Sequence, residues 1–109
     1  MNVSIRDLEK YLAVRYQGKA NEQGLFMKLV EELGEVAEVL NKRSGRKFND
    51  EDDSLIHLGE ELVDMIHYIV AIAAINEIDL NEMILSKDKR ASIKYGHSIN
   101  LEEFIKNQE

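Results

Sequence analysis

Two pairs of acids, Glu32 with Glu35 and Glu61 with Asp64, carry the chemistry that this sequence most directly suggests. A spacing of three residues puts both carboxylates of a pair on one face of a helix, about one turn apart. Two such pairs facing each other across a helix–helix seam would present four hard oxygen ligands, a donor set suited to Mg²⁺ and also open to Mn²⁺. Metal-assisted phosphate chemistry is the expectation. Acid pairs also arise by chance where 21 of 109 residues are acidic. Their surroundings therefore decide how much they mean.

The elements that must position these acids read as helices throughout. Proline is absent, so nothing interrupts a long helix. Ser4 with Asp7 resembles a capping box, followed by Ile5, Leu8 and Leu12 at helical spacing, which predicts a first helix from Ser4 to Gln17 that ends near Gly18. Asn21 would cap a second helix reaching Lys42, with Leu25, Leu29, Leu33, Val36 and Leu40 as its apolar face. Ser44 to Asp53 reads as a polar, mobile connector. A third helix over Asp53 to Glu77 carries Leu58, Leu62, Met65, Ile66, Ile69 and Ile72. Asn81 would cap a fourth helix to Tyr95, stopped by Gly96, and Asn100 with Glu103 opens a short last one. The expected fold is a single all-α domain over residues 1–109, four-helix bundle-like with a short extra C-terminal helix.

On the second helix, Glu31, Glu35 and Glu38 cluster opposite the apolar face, as an ordinary solvated side would. The third helix is different. It is apolar nearly all round beyond Asp64, which predicts burial on most sides, and an ionised carboxylate there needs a cation. No lysine or arginine occurs between Lys47 and Lys87, which leaves a divalent ion, or a basic residue from the fourth helix, as the neutralising group. Gly34 and Gly59, each costing about 1 kcal/mol inside a helix, suggest close backbone approach. A di-iron bundle site would want Glu-x-x-His, and neither Glu60 nor Glu61 has a histidine three residues on. Asp64 with His67 is the nearest approach and has no counterpart, so His67 reads as a packed, hydrogen-bonded core histidine.

Composition narrows the field further. A net charge of −7 speaks against a broad basic face for polymeric nucleic acid. Without cysteine there is no thiol chemistry or thiolate metal site, which fits a reducing cytoplasm. The dense apolar run Leu62 to Ile75 is too short for a bilayer, and no signal peptide is visible, so no membrane partner is expected. There is no P-loop, no G-x-G-x-x-G and no serine elbow. Lys42, Arg43, Arg46 and Lys47 form one basic group and Lys87, Lys89, Arg90 and Lys94 another. Either could meet outer phosphates, the second being on an ordered element.

Taken together, KLVEELGEVAEVL (Lys28 to Leu40) and GEELVDMIHYIVAIAAINEIDL (Gly59 to Leu80) resemble the MazG-like nucleotide pyrophosphohydrolases of the all-α nucleoside-triphosphate pyrophosphatase superfamily. The resemblance covers roughly Leu25 to Tyr95. It implies Mg²⁺ held by Glu32, Glu35, Glu61 and Asp64, and cleavage of an NTP or dNTP between the α and β phosphates. It further implies Tyr68, Lys87, Lys94 and Tyr95 near the substrate, with Glu38 or Glu31 as general base. Ala91 stands where relatives often carry asparagine. Family members usually work as dimers or tetramers with sites completed between subunits, so a homodimer or homotetramer is expected. Phosphoribosyl-ATP pyrophosphohydrolases share the acid pattern and are the alternative. A non-catalytic, nucleotide-binding helical oligomer is the other.

Overall fold

The structure, a computed structural model, describes residues 1–46 and 51–109, with side chains described for 1–44 and 54–109. It is all-α: α1 (Ile5–Tyr16), α2 (Glu22–Asn41), a π-helical turn (Lys42–Arg46), α3 (Glu51–Ile75), α4 (Leu80–Tyr95) and α5 (Leu101–Asn107). The starts follow from capping chemistry. Ser4, Asn21, Asp79 and Asn100 each accept a backbone N–H three residues on, and Asn100 with Glu103 completes a reciprocal capping box. The α4 cap is Asp79 rather than Asn81, because the Asp79 carboxylate already takes the Glu82 N–H and Asn81 falls inside the helix. The connector is also shorter than its polarity suggests. The π-helical turn carries the chain on from α2, and α3 is helical from Glu51. The connector's centre, residues 47–50, including Lys47 of the first basic group, lies outside the described residues.

The longest helices, α2 and α3, pack along most of their length. They run antiparallel: Arg43 donates to Ser54 Oγ at one end (2.9 Å), and Asn76 donates to Glu22 Oε2 at the other (3.4 Å). The α2 side of the seam is Leu25, Leu29, Glu32, Val36 and Val39, all buried or half-buried. The α3 side is Leu58, Glu61, Met65, Tyr68, Ile72 and Ile75. Both follow the alternating three- and four-residue spacing of left-handed helix packing. The helix α1 lies against the C-terminal half of α3 and puts fully buried Leu12 into a cluster with Leu25, Val70, Ala71 and Ala74. The helix α4 packs on α1, where Arg6 reaches Glu82 at 2.7 Å, and α5 folds back on α4 with Asp88 accepting the Leu101 N–H.

This leaves much apolar surface uncovered. Leu33 and Leu40 of α2 and Leu62, Ile66 and Ile69 of α3, expected inside, are exposed. The broad apolar sector of each helix divides in two: one stripe meets the neighbouring helix, and a second, one residue ahead, faces outward. The expected burial of α3 on most sides does not hold within one chain. Gly34 and Gly59 are likewise not sites of close approach here, since a Cβ on either would meet nothing within 4 Å.

Among the described residues, one non-glycine residue is strained. Glu77 ends α3 with φ 55°, the left-handed region that glycine adopts freely, while Ile78 N–H closes onto the Ala73 carbonyl. Glu77→Gly is expected to stabilise the fold by about 1 kcal/mol, raising the thermal midpoint by about 4 °C in calorimetry. An unchanged or lower midpoint would show that this turn is not strained.

Candidate metal and phosphate site

Glu32 and Glu61 occupy equivalent places in the α2–α3 seam, each where an apolar residue would otherwise pack. Side-chain oxygens of Glu32, Glu61 and Asp64 lie within 4.8 Å of one another, and Glu35 lies within hydrogen-bonding reach of Glu61. Three of the four acids converge, and the fourth, Glu35, stands beside Glu61. Their burial differs from expectation. Glu61 is the buried acid, 7% exposed, whereas Asp64 is exposed. Position 61 falls in the seam itself, and position 64 is turned out of it by the helical repeat.

Bringing carboxylates together has an electrostatic cost, and Glu61 carries it. Hydrogen bonding with Glu32, then burial, then hydrogen bonding with Glu35 and the charges of both push its carboxyl from 4.5 up to about 7. The raised value makes metal-free folding pH-dependent. Between pH 4.5 and 7 the unfolded chain has released the proton that folded Glu61 still holds, so stability falls as pH rises through this window. His67, lowered by burial and by Arg15, acts in the opposite sense. In chelator, the thermal midpoint of the parent is therefore expected to fall relative to that of Glu61→Gln as pH rises from 4.5 to 7. Parallel pH profiles would refute the shift.

The donor set fits a hard divalent cation. Glu32 Oε2 and Glu61 Oε2 are buried with no donor on them other than a neighbouring carboxyl. Among the described residues, no lysine or arginine forms a salt bridge with any of the four acids. The basic residue from α4 weighed against a metal in the sequence does not fill this role there. Glu61 Oε1 does have a partner that spacing alone had not singled out: His57, one turn earlier on α3, with Nε2 3.2 Å away. The available signal was the i, i+4 relation to an acid of the motif.

Around the acids, α2 and α3 present one polar side. One residue behind the seam stand Lys28, Glu31, Glu35 and Glu38 on α2, and His57, Glu60, Asp64 and His67 on α3. Because the helices are antiparallel, these rows lie on the same side of the pair. A contact from Tyr16 brings α1 to it. Tyr16 Oη and His67 Nε2 share a 2.6 Å hydrogen bond, so His67 is the hydrogen-bonded, part-buried histidine expected. Tyr68 packs edge-on against His67, and burial, with Tyr16 nearby, holds its hydroxyl above the usual phenol value. Glu31 pairs with Lys28 (3.5 Å) and Glu38 with Lys42 (3.4 Å), both exposed.

The basic residues of α4 are not gathered in. Lys94 lies over the Tyr95 ring at 5.3 Å and Tyr95 stacks on His97, while Lys87 is exposed; none contacts the four acids, and α4 packs on α1 and α5. No helix among the described residues is long and apolar enough to cross a membrane. The family profile of the MazG nucleotide pyrophosphohydrolase domain matches residues 20–92, which span α2, α3 and most of α4. No curated protein and no solved structure matches the chain.

Proposed function

The chain belongs to the MazG nucleotide pyrophosphohydrolase domain family, and from that premise we propose that it hydrolyses a nucleoside triphosphate, NTP or dNTP, to the monophosphate and pyrophosphate with Mg²⁺. The observation that carries this reading is the acid cluster with its two buried oxygens that have no donor other than a neighbouring carboxyl. Glu32, Glu35, Glu61 and Asp64 would hold the cation, with Mn²⁺ a workable substitute. When bound, such an ion neutralises phosphate charge and makes a coordinated water more acidic.

The chain's own residues account for the remaining tasks. Glu61, whose carboxyl is raised to about 7 by its acidic neighbours and burial, must be ionised to act as a ligand. Water adds to the α-phosphorus while its proton passes to Glu38 or Glu31. The α–β bridging P–O bond breaks, and its electron pair leaves with pyrophosphate. Tyr68, kept protonated, can donate its O–H to substrate from the seam beside Asp64. Lys87, Lys94 and Tyr95 would meet the phosphates from the α4 of a second copy, because α4 packs elsewhere in its own chain.

A homodimer or homotetramer fits the shape. The radius of gyration is 17.1 Å, against about 13 Å for a compact domain of this length. The accessible surface is 8650 Å², against about 6,200 Å² for a folded monomer of this mass. The outward stripe of α2 (Phe26, Val30, Leu33, Leu40) and that of α3 (Leu55, Leu62, Ile66, Ile69) lie side by side, opposite the acids. Two copies meeting there would form a four-helix core and leave both acidic sides open to substrate.

The test is pyrophosphate release from a panel of NTPs, dNTPs and phosphoribosyl-ATP with Mg²⁺. Monophosphate and pyrophosphate from at least one nucleoside triphosphate are expected. Release of orthophosphate alone, or turnover of phosphoribosyl-ATP only, would refute the assignment. No turnover, together with a metal-independent melting temperature, would favour a non-catalytic oligomer.

A further inference from the structure

We infer that His57 is a positioning residue that holds the Glu61 carboxylate in its metal-binding orientation, an inference that rests on the acid cluster being a metal site. Glu61 is the most buried of the four acids, and its two oxygens have different surroundings. Oε1 faces His57 Nε2 at 3.2 Å, and Oε2 is buried with no donor other than a neighbouring carboxyl. An ionised carboxylate only accepts, so in the metal-competent state the proton of the imidazole sits on Nε2 and is donated to Oε1. The ring therefore has no lone pair on Nε2 to offer a cation, and His57 is outside the set of converging ligand atoms. Its effect passes through Glu61: fixing one oxygen fixes the other.

Without that contact the Glu61 carboxyl is free to rotate, and its oxygens are no longer held against those of Glu32 and Asp64. Both residues sit on one continuous helix four residues apart, so the contact needs no movement of α2. Hydrogen bonds that orient ligating carboxylates commonly matter by an order of magnitude or more in metal affinity.

The experiment is a Mn²⁺ titration of the metal-free full chain, read by the electron paramagnetic resonance of free ion, for the parent, His57→Leu, His57→Gln and Asp64→Asn. The parent is expected to bind, Asp64→Asn to lose binding, and His57→Leu to bind about tenfold more weakly. Glutamine carries an N–H at about the reach of Nε2, and His57→Gln is expected to restore most of the affinity. Metal-free melting temperatures are expected to match throughout the His57 series, because His57 is exposed. Equal affinity for parent and His57→Leu, or a directly Mn²⁺-bound nitrogen that disappears in His57→Leu, would overturn the positioning role. Failure of the parent to bind, or unchanged binding by Asp64→Asn, would instead remove the metal site and this inference with it.

Discussion

Asp64→Asn is expected to lower pyrophosphate release at least about a hundredfold, the equivalent of about 3 kcal/mol of transition-state stabilisation. The metal-free protein should be at least as stable as the parent. The two effects have one cause. Asp64 is an exposed acid whose carboxylate stands within 4.8 Å of oxygens of Glu32 and Glu61. Without a cation these groups repel one another, and an amide at position 64 relieves the repulsion. With a cation, the same amide is a weaker ligand and carries no charge to balance phosphate.

Glu61→Gln should behave alike, because an uncharged amide at position 61 removes one of the crowded acids and can donate to Glu32. Addition of Mg²⁺ or Mn²⁺ should raise the parent's melting temperature and leave both variants unmoved. A parent and Asp64→Asn protein with equal turnover would remove the assigned site. So would an Asp64→Asn protein that unfolds at ordinary temperature, since this carboxylate would then be holding the fold together.

The local patterns transferred from sequence to structure wherever a short-range rule governs them. Ser4, Asn21, Asn100 and Gly96 lie where their capping chemistry requires, and Glu32, Glu61 and Asp64 converge because their spacing follows the helical repeat. What failed was the division of an apolar sector between neighbours. Leu33 and Val36 are equally apolar, yet Val36 is buried against α3 and Leu33 faces outward. Periodicity finds the sector and cannot say which part meets the same chain. The same ambiguity misplaced Asp64, which is exposed, since a helix apolar all round gives no sign of which acid stands in the seam. The α4 basic residues show the limit from another direction. They lie on an ordered helix as expected, but a linear pattern does not say on which neighbour that helix packs.

Ile66→Glu is expected to separate the oligomer. Ile66 lies at the middle of the outward stripe of α3 and is 48% exposed in the single chain. An isolated chain therefore accepts glutamate there, and helix content by circular dichroism should not change. In a two-fold symmetric pair the substitution occurs twice. At about 2 kcal/mol per buried unpaired charge, the dissociation constant weakens roughly a thousandfold. Sedimentation velocity should show the mass falling to that of the 12.6 kDa chain. Turnover should fall with it at protein concentrations where the parent stays associated, because Lys87, Lys94 and Tyr95 would no longer be supplied from a second α4. The two readouts discriminate between roles for the apolar face. Loss of association with full activity would mean that one chain holds a complete site and α4 reaches the phosphates by itself. An undisturbed mass would mean that the stripe on α3 is not the interface, leaving the more exposed Ile93 and Phe104 of the α4–α5 arm as the surface to change next.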